Sequence, residues 1–310
     1  MLKQVLEVCE VLDAANASGE AVAQILRAHG GEAQVERVAG EGGATEFVRC
    51  RVEGLAGRAQ GGAAPTLGVI GRLGGVGARP GVQGLVSDAD GAVVALAVAL
   101  KLLDMRRRGD RLAGDVLLAT HVCPDAPVVP HEPVPFMSSP VDMATMNRME
   151  VDPAMDAVVA VDTTRGNRIA NRRGFAVTPV VRQGWILPVP AALLDLVEIV
   201  TGEPPLVLPL ATQDITPYGN GLRHVNSILQ PSTATPAPVL GVALTAATVV
   251  PGSASGATQE VDDELAARFV VEVAKAFTSG RLAFYDAQEA DRLDMLYGPQ
   301  RHLQAAERGR

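Results

Sequence analysis

Aromatic residues are scarce in this chain, making up 3% of 310 residues. That leaves few flat faces on which bases or sugar rings stack, so single-stranded nucleic acid and carbohydrate are poorly supported as ligands. Cysteine is nearly as rare: Cys9, Cys50 and Cys123 are an odd count at wide spacing, which argues against a disulfide framework and for a reducing compartment. No long run of like charge occurs. The formal net charge of −8 is diffuse and gives neither nucleic acid nor an anionic membrane a patch to hold. The longest apolar stretch, Gly91 to Leu100 with its flanks, is too short to cross a bilayer and ends in charge. The opening segment MLKQVLEVCEVLDAANASGE is acidic and has neither the basic start nor the cleavage site of a signal peptide. These absences leave a cytoplasmic protein with a small-molecule partner as the expectation, without nucleic acid or membrane.

What is present is a hydrophobic content of 47%, enough to bury a substantial core. Helical spacing of Leu2, Val5, Leu6, Val8, Cys9 and Leu12 predicts a first helix, and Ser18 caps a second, Gly19 to His29, that stops at Gly30-Gly31. Short strands are expected at Ala33 to Val38, Glu46 to Val52 and Thr66 to Ile70. Ser87 caps a helix from about Gly91 to Arg107, a strand follows at 115 to 120, and Asp156 to Val161 is another continuous apolar run. Between those two strands lies a long Pro- and Met-bearing excursion, Ala126 to Pro153, of a length that marks function or irregular structure. Pro190 to Thr201 and Glu260 to Phe277 read as helices, Leu206 to Leu210 and Val239 to Leu244 as strands. Strands alternating with helices predict an α/β fold, a mainly parallel mixed sheet flanked by helices. One domain over residues 1–300 is expected, followed by a charged tail at 301–310.

The segment LAGDVLLATHVCPDAPVVPHE, Leu112 to Glu132, is where chemistry gathers. An apolar strand empties into His121, Cys123, Asp125, His131 and Glu132 in a Pro-rich stretch where neither helix nor ladder can continue. Imidazole, thiol and carboxylate at the carboxyl end of a strand occupy the usual position of ligand sites in open α/β sheets.

The order Ser87-Asp88-Ala89-Asp90-Gly91, a buried helix, GDVLLATHVCPD and then DAVVAVDTT resembles the zinc-dependent exopeptidase superfamily of aminopeptidases and carboxypeptidase-like amidohydrolases. The phrases RLGGVGARP, THVCPDAP, DTTRGN, TQDITPYGN and ILQPSTAT look like an uncharacterised bacterial family, domain of unknown function 1177. The superfamily resemblance implies a phosphorylase/hydrolase-like fold in which Asp88 matches a metal-bridging Asp, Asp125 the second residue of a Glu-Glu pair and Asp162 a further ligand. It also implies a homo-oligomer, because relatives often assemble. Three departures stand out: Arg72 occupies the place of the first His ligand, Pro124 that of the base Glu, and Ser253 to Ser255 that of the late His. An arginine cannot hold zinc and a proline cannot take a proton, so any metal must use a rebuilt set, with His121, Cys123, His131 or His224 assisting.

Each candidate has a bland reading beside the functional one. Asp88 and Asp90 suit a helix start, where free N–H groups favour carboxylates, although capping needs only one. His121 is equally a hydrogen-bonded strand-end residue and Cys123 a buried small one, or Cys123 forms a thiolate–imidazole pair with His121 or His131 for covalent catalysis. Arg72 is suited to hold a substrate carboxylate, or to pin Asp88 or Asp125 in a salt bridge. Asn167, Asn220 and Asn226 offer amide donors, though turn roles explain such residues more often. Asp162 is the hardest to explain structurally, since a carboxylate buried without a partner is costly; Arg165 or Arg168 would supply one. The leading expectation is a metal-dependent hydrolase of a small amide or peptide-like substrate. Its divalent ion, zinc or another, is held by Asp88, Asp125 and Asp162 with His121 and Cys123. The base is drawn from Asp90, His131 and Glu132, and the substrate meets Arg72, Asn167, Asn220 and His224. The alternative is a non-catalytic small-molecule binding or regulatory protein on the same scaffold.

Overall fold

The computed structural model describes residues 1–14, 16–72, 85–124, 126–130, 136–164, 170–248 and 258–305. The chain opens with α1 (Leu2–Leu12) and α2 (Gly19–Ala28), the latter capped as its sequence predicts, the Ser18 hydroxyl accepting from the Ala21 N–H at 3.2 Å. β1 (Glu32–Gly40) and β2 (Gly43–Val52) form an antiparallel hairpin longer than the alternation alone suggested. Next come β3 (Leu67–Gly71), α3 (Asp90–Arg107) and β4 (Val116–Val122). The excursion after β4 is not one long loop: it holds the short pair β5 (Val128–Val129) and β6 (Phe136–Met137), then α4 (Met143–Glu150). β7 (Ala157–Thr163) leads to three short strands, β8 (Gly174–Val177), β9 (Val180–Arg182) and β10 (Trp185–Leu187). α5 (Ala191–Thr201), β11 (Val239–Thr245), α6 (Glu260–Thr278) and α7 (Ala287–Tyr297) complete the order.

Nine of these strands make one sheet, ordered β1-β2-β4-β3-β7-β11-β9-β10, with β8 also paired to β11. Only the central four, β4-β3-β7-β11, run parallel; every flanking pairing is antiparallel. The α/β class and the flanking helices stand, but "mainly parallel" is corrected to parallel at the centre alone. The reason is connection length: βαβ units need long crossovers, whereas the hairpin at one edge and the short strands at the other are joined by tight turns. The expected strand at Leu206 to Leu210 is also corrected, since it makes no more than an isolated bridge from Val207 to Val177.

Side chains alternate across the sheet and divide the core. Leu67, Val69, Val116, Leu118, Val159, Val161, Val242 and Leu244 face α1, α2, α3 and α6. Ile70, Leu117, Val158, Ala160 and Ala243 face the opposite way, under α4 and the segment around 206–230. Helix α3 is buried along almost its whole length, as its run of Ala, Val and Leu without a polar face requires. Among the described residues no helix is long and apolar enough to cross a membrane.

Candidate functional site

The amino terminus of α3 rests directly on the carboxyl ends of β3 and β7. A Cβ at Gly91 would overlap the carbonyl oxygens of Arg72 and Val161, and one at Gly71 would overlap the Gly91 carbonyl. Glycine at both positions permits backbone against backbone, and the contact carries Asp88 and Asp90 to the strand ends. Both aspartates are buried. Neither caps the helix: Ala89 stands at the N-cap position, without a side-chain cap bond. The Arg72 N–H donates to the Val161 carbonyl at 2.7 Å and closes the junction.

Strand alternation supplies the remaining groups. Counting from Ile70, Leu117 and Val158, the residues Arg72, His121 and Asp162 fall on the face of the sheet opposite α3, on or just beyond three adjacent strands. His121 and Asp162, expected at strand ends or beyond, belong to β4 and β7 themselves, which run further than their apolar cores. Asp162 accepts from the Thr163 N–H at 2.7 Å and from the Ser227 hydroxyl at 2.7 Å. Burial raises its pKa above the ordinary value, while Ser227, the Thr163 N–H, Arg72 and His121 act in the opposite direction. Asp88 is pushed well above the ordinary carboxylate range, first by burial and then by the like charges of Asp162 and Asp90. Among the described residues no hydrogen-bond donor reaches the Asp88 carboxylate.

Arg72 is fully buried, and its charge is met inside the protein. Nε lies 3.2 Å from Glu150 Oε2, an ion pair rather than an aligned hydrogen bond. One terminal nitrogen contacts the Met143 sulfur at 2.8 Å and the other donates to Asn147 Oδ1. The salt-bridge reading of this arginine therefore has a described partner in Glu150, where the sequence offered Asp88 or Asp125. Glu150 Oε1 also meets His121 Nδ1 at 2.6 Å, and Phe47 packs on that imidazole with ring centroids 5.7 Å apart. Cys123 is buried, and its thiol donates to the Ala44 carbonyl at 3.6 Å.

A surface segment, 211–233, closes over Asp162. Asp214 is its staple, accepting from the N–H groups of Ala211, Val225 and Asn226 at 3.0, 2.7 and 3.0 Å. Gln230 is the second: its amide donates to the Thr216 carbonyl at 2.9 Å and its Oε1 accepts from the Tyr218 N–H at 3.1 Å. His224 stacks on Tyr218 at 4.2 Å and lies 3.2 Å from the Thr216 hydroxyl. Asn220 donates to the same hydroxyl at 3.0 Å and accepts from the Leu222 N–H at 3.0 Å. Asn220 and His224, expected to meet a substrate, thus have their polar atoms engaged within the segment. Asn226 is buried in the same fold-back. The phenol of Tyr218 is pushed up to about 12, by burial first and then by Asp162 and Asp214, with Ser227 opposing.

Asp125, His131, Glu132 and Asn167, together with Arg165 and Arg168 as partners for Asp162, lie outside the described residues. Among the described residues no three His, Cys, Asp or Glu side chains group so as to hold a metal ion. Four participants escaped the sequence reading: Glu150, Asn147, Ser227 and Tyr218. Glu150 and Asn147 sit on a helix whose pattern was hidden in a Pro-rich stretch. Tyr218 falls within the phrase TQDITPYGN and Ser227 just ahead of ILQPSTAT, so the distinctive phrases did mark the segment that covers Asp162.

A search among curated proteins found no match to this chain. The model of one protein family, described as Protein of unknown function (DUF1177), matches residues 36–307, a span that takes in every residue of this candidate site. The chain belongs to that family.

Proposed function

We propose that the protein is a metal-assisted hydrolase of a small amide or peptide-like substrate, on a scaffold like that of the zinc-dependent exopeptidases. One observation carries the reading: Asp88, Asp90 and Asp162, from segments more than 70 residues apart in sequence, are all buried, and burial first, then the like charges of Asp162 and Asp90, push the pKa of Asp88 up. Folding alone gives no reason to bury like charges together. Their order also supports it, with Asp88 just before a buried helix and Asp162 near the end of the strand that follows β4 in the parallel core.

The chemistry of this donor set suits a divalent cation, zinc being the one the resemblance implies. Asp88 and Asp162 are the residues that would hold it, with Asp125 third by order. Such an ion polarises a carbonyl and lowers the pKa of water. The chain's own residues do the rest. Ser227 and the Thr163 N–H fix the rotamer of Asp162. Tyr218 keeps its proton at any ordinary pH and remains an O–H donor beside Asp162. Asp90, His131 and Glu132 stay as candidates for the base, and Asn167 for substrate contact.

Elemental analysis of protein purified without added metal is the direct test, alongside a hydrolysis panel of N-acyl amino acids, aminoacyl anilides and dipeptides with added zinc, manganese or iron. Near-stoichiometric metal is expected, lost in Asp88→Asn and Asp162→Asn. No bound metal, together with no turnover in any of these conditions, sinks the proposal. A second reading, a small-molecule binding or regulatory protein, is favoured by Arg72: at the place of a metal-binding histidine the chain has a guanidinium already paired with Glu150. It predicts ligand-induced shifts in melting temperature without turnover. Turnover abolished by Asp162→Ala with folding intact would exclude it.

A further inference from the structure

A cavity of about 190 Å³ lies over the first half of β4, on the sheet face opposite α3, whereas the acids of the candidate site come from the carboxyl ends of the strands. Leu117 and Ala119 make its floor. Their cross-strand neighbours on β2, Arg51 and Arg49, stand on the same face by the register of the pair and form one wall, with Glu32 of β1 opposite Arg51. The facing wall comes from the turn between α4 and β7, which brings Asp152 and Met155 over β3. Gly68 permits that approach, because a Cβ there would overlap the Met155 sulfur. Glu150 closes the inner end, its own charge already met by Arg72 at 3.2 Å.

The lining keeps charge of both signs that the protein does not consume. Arg49 gives a single one of its five N–H donors to Glu36, at 2.6 Å. Among the described residues no ion pair engages Arg51. Asp152 accepts from the Ala154 N–H at 2.8 Å through one oxygen and has the other to offer. A cationic wall, an apolar floor and an acidic wall suit a small molecule that carries both charges and an apolar body; a ligand of one sign meets repulsion from one wall. The volume falls below the roughly 300–1,000 Å³ of sites for drug-sized ligands, which leaves room for one residue and not for a peptide.

We propose that this cavity binds a free α-amino acid with a compact apolar side chain. Its carboxylate meets Arg49 and Arg51, whose planar forks match that group, and its ammonium meets Asp152. Its side chain lies on Leu117, Ala119 and Met155. The proposal does not rest on the hydrolase reading: no bond is made or broken here, and none of these residues belongs to the carboxylate site.

Isothermal titration of the full chain with L-leucine and L-valine tests it, beside two analogues of leucine: isocaproate, which lacks the ammonium, and isoamylamine, which lacks the carboxylate. One amino acid per chain is expected, with a Kd of about 1 mM or tighter. Both analogues should bind about tenfold more weakly or worse, as should leucine to Arg51→Gln and to Asp152→Asn. Arg51 is exposed, and the amide of Asp152→Asn still accepts from Ala154, so both variants are expected to fold. The chain has eight methionines, and in protein labelled at the methionine methyl groups the Met155 signal, assigned by its loss in Met155→Leu, should move on addition of leucine. No heat from either amino acid at about 10 mM overturns the proposal, as does isocaproate binding as tightly as leucine or a Met155 signal that stays in place. Leucine binding lost in Asp162→Asn and kept in Arg51→Gln would put the amino acid at the carboxylate site and overturn it as well. Leucine bound here with no metal and no amide turnover would remove the hydrolase and leave this site standing; turnover without leucine binding would do the reverse.

Discussion

Asp88 bears two like-charged neighbours and no donor among the described residues, so its charge works against the fold. A carboxylate kept for stability would weaken the protein when replaced by its amide. One kept for function should do the reverse. Asp88→Asn is therefore expected to raise the melting temperature of the metal-free protein by a few degrees, the range about 1 kcal/mol gives a chain of this size; scanning calorimetry is the measurement, and a clear fall would return Asp88 to a structural role. At this scale the sequence was half legible. Asp88, Asp90 and Asp162 could be singled out because a helix start needs only one acid and a carboxylate ending an apolar strand is costly to bury on its own. Glu150 and Ser227 could not, because each becomes meaningful only through partners 29 and 65 residues distant.

Among elements, α3 and the strands beneath it set the position of the acids. The approach needs hydrogen rather than methyl at Gly91, because the atoms it would strike are backbone oxygens of Arg72 and Val161 that cannot turn aside. Gly91→Ala improves helix propensity by just under about 1 kcal/mol, yet the overpacking outweighs it. Chemical denaturation is expected to show a net loss of about 1–3 kcal/mol, together with weaker metal uptake if Asp88 is displaced. A variant as stable as the parent would mean that the helix can lift off without cost. Long regular elements were readable from their periodicity: α1, α2, α3, α6 and the parallel strands stand close to where apolar spacing put them. α4, β8, β9, β10 and α7 were not read. Each is short, half-exposed or broken by Pro and Gly, and owes its form to tertiary contacts such as Trp185 with Asp294 at 2.8 Å.

For the whole molecule, the pH dependence of stability is a contest between two sets of acids. Asp88 and Asp162 have raised pKa values, so the native state keeps their protons longer than the unfolded chain does. Their contribution is complete below the ordinary carboxylate range and is lost as pH rises through the raised values. Asp104 is opposite. Burial would raise its pKa, but hydrogen bonds from Gln4, His29 and Arg107 prevail and lower it below 3.8. Its contribution is complete above the unfolded value and is lost as pH falls through the lowered one. Stability of the metal-free protein is thus expected to peak on the acidic side of neutral. Asp88→Asn should flatten the alkaline limb, and Asp104→Asn the acidic limb, in melting temperatures taken across pH. The sheet was legible as α/β and illegible in its handing of strands, because direction follows from how the connections fold, and those run through the least regular sequence.

The glycine contact beneath α3 also bears on what the proposed ion would do to the fold. Backbone that touches backbone seats the start of α3 on the ends of β3 and β7. If an ion sits between Asp88 and Asp162, it joins helix to strand across that same seam, so its binding would resist their parting and raise the temperature at which they separate.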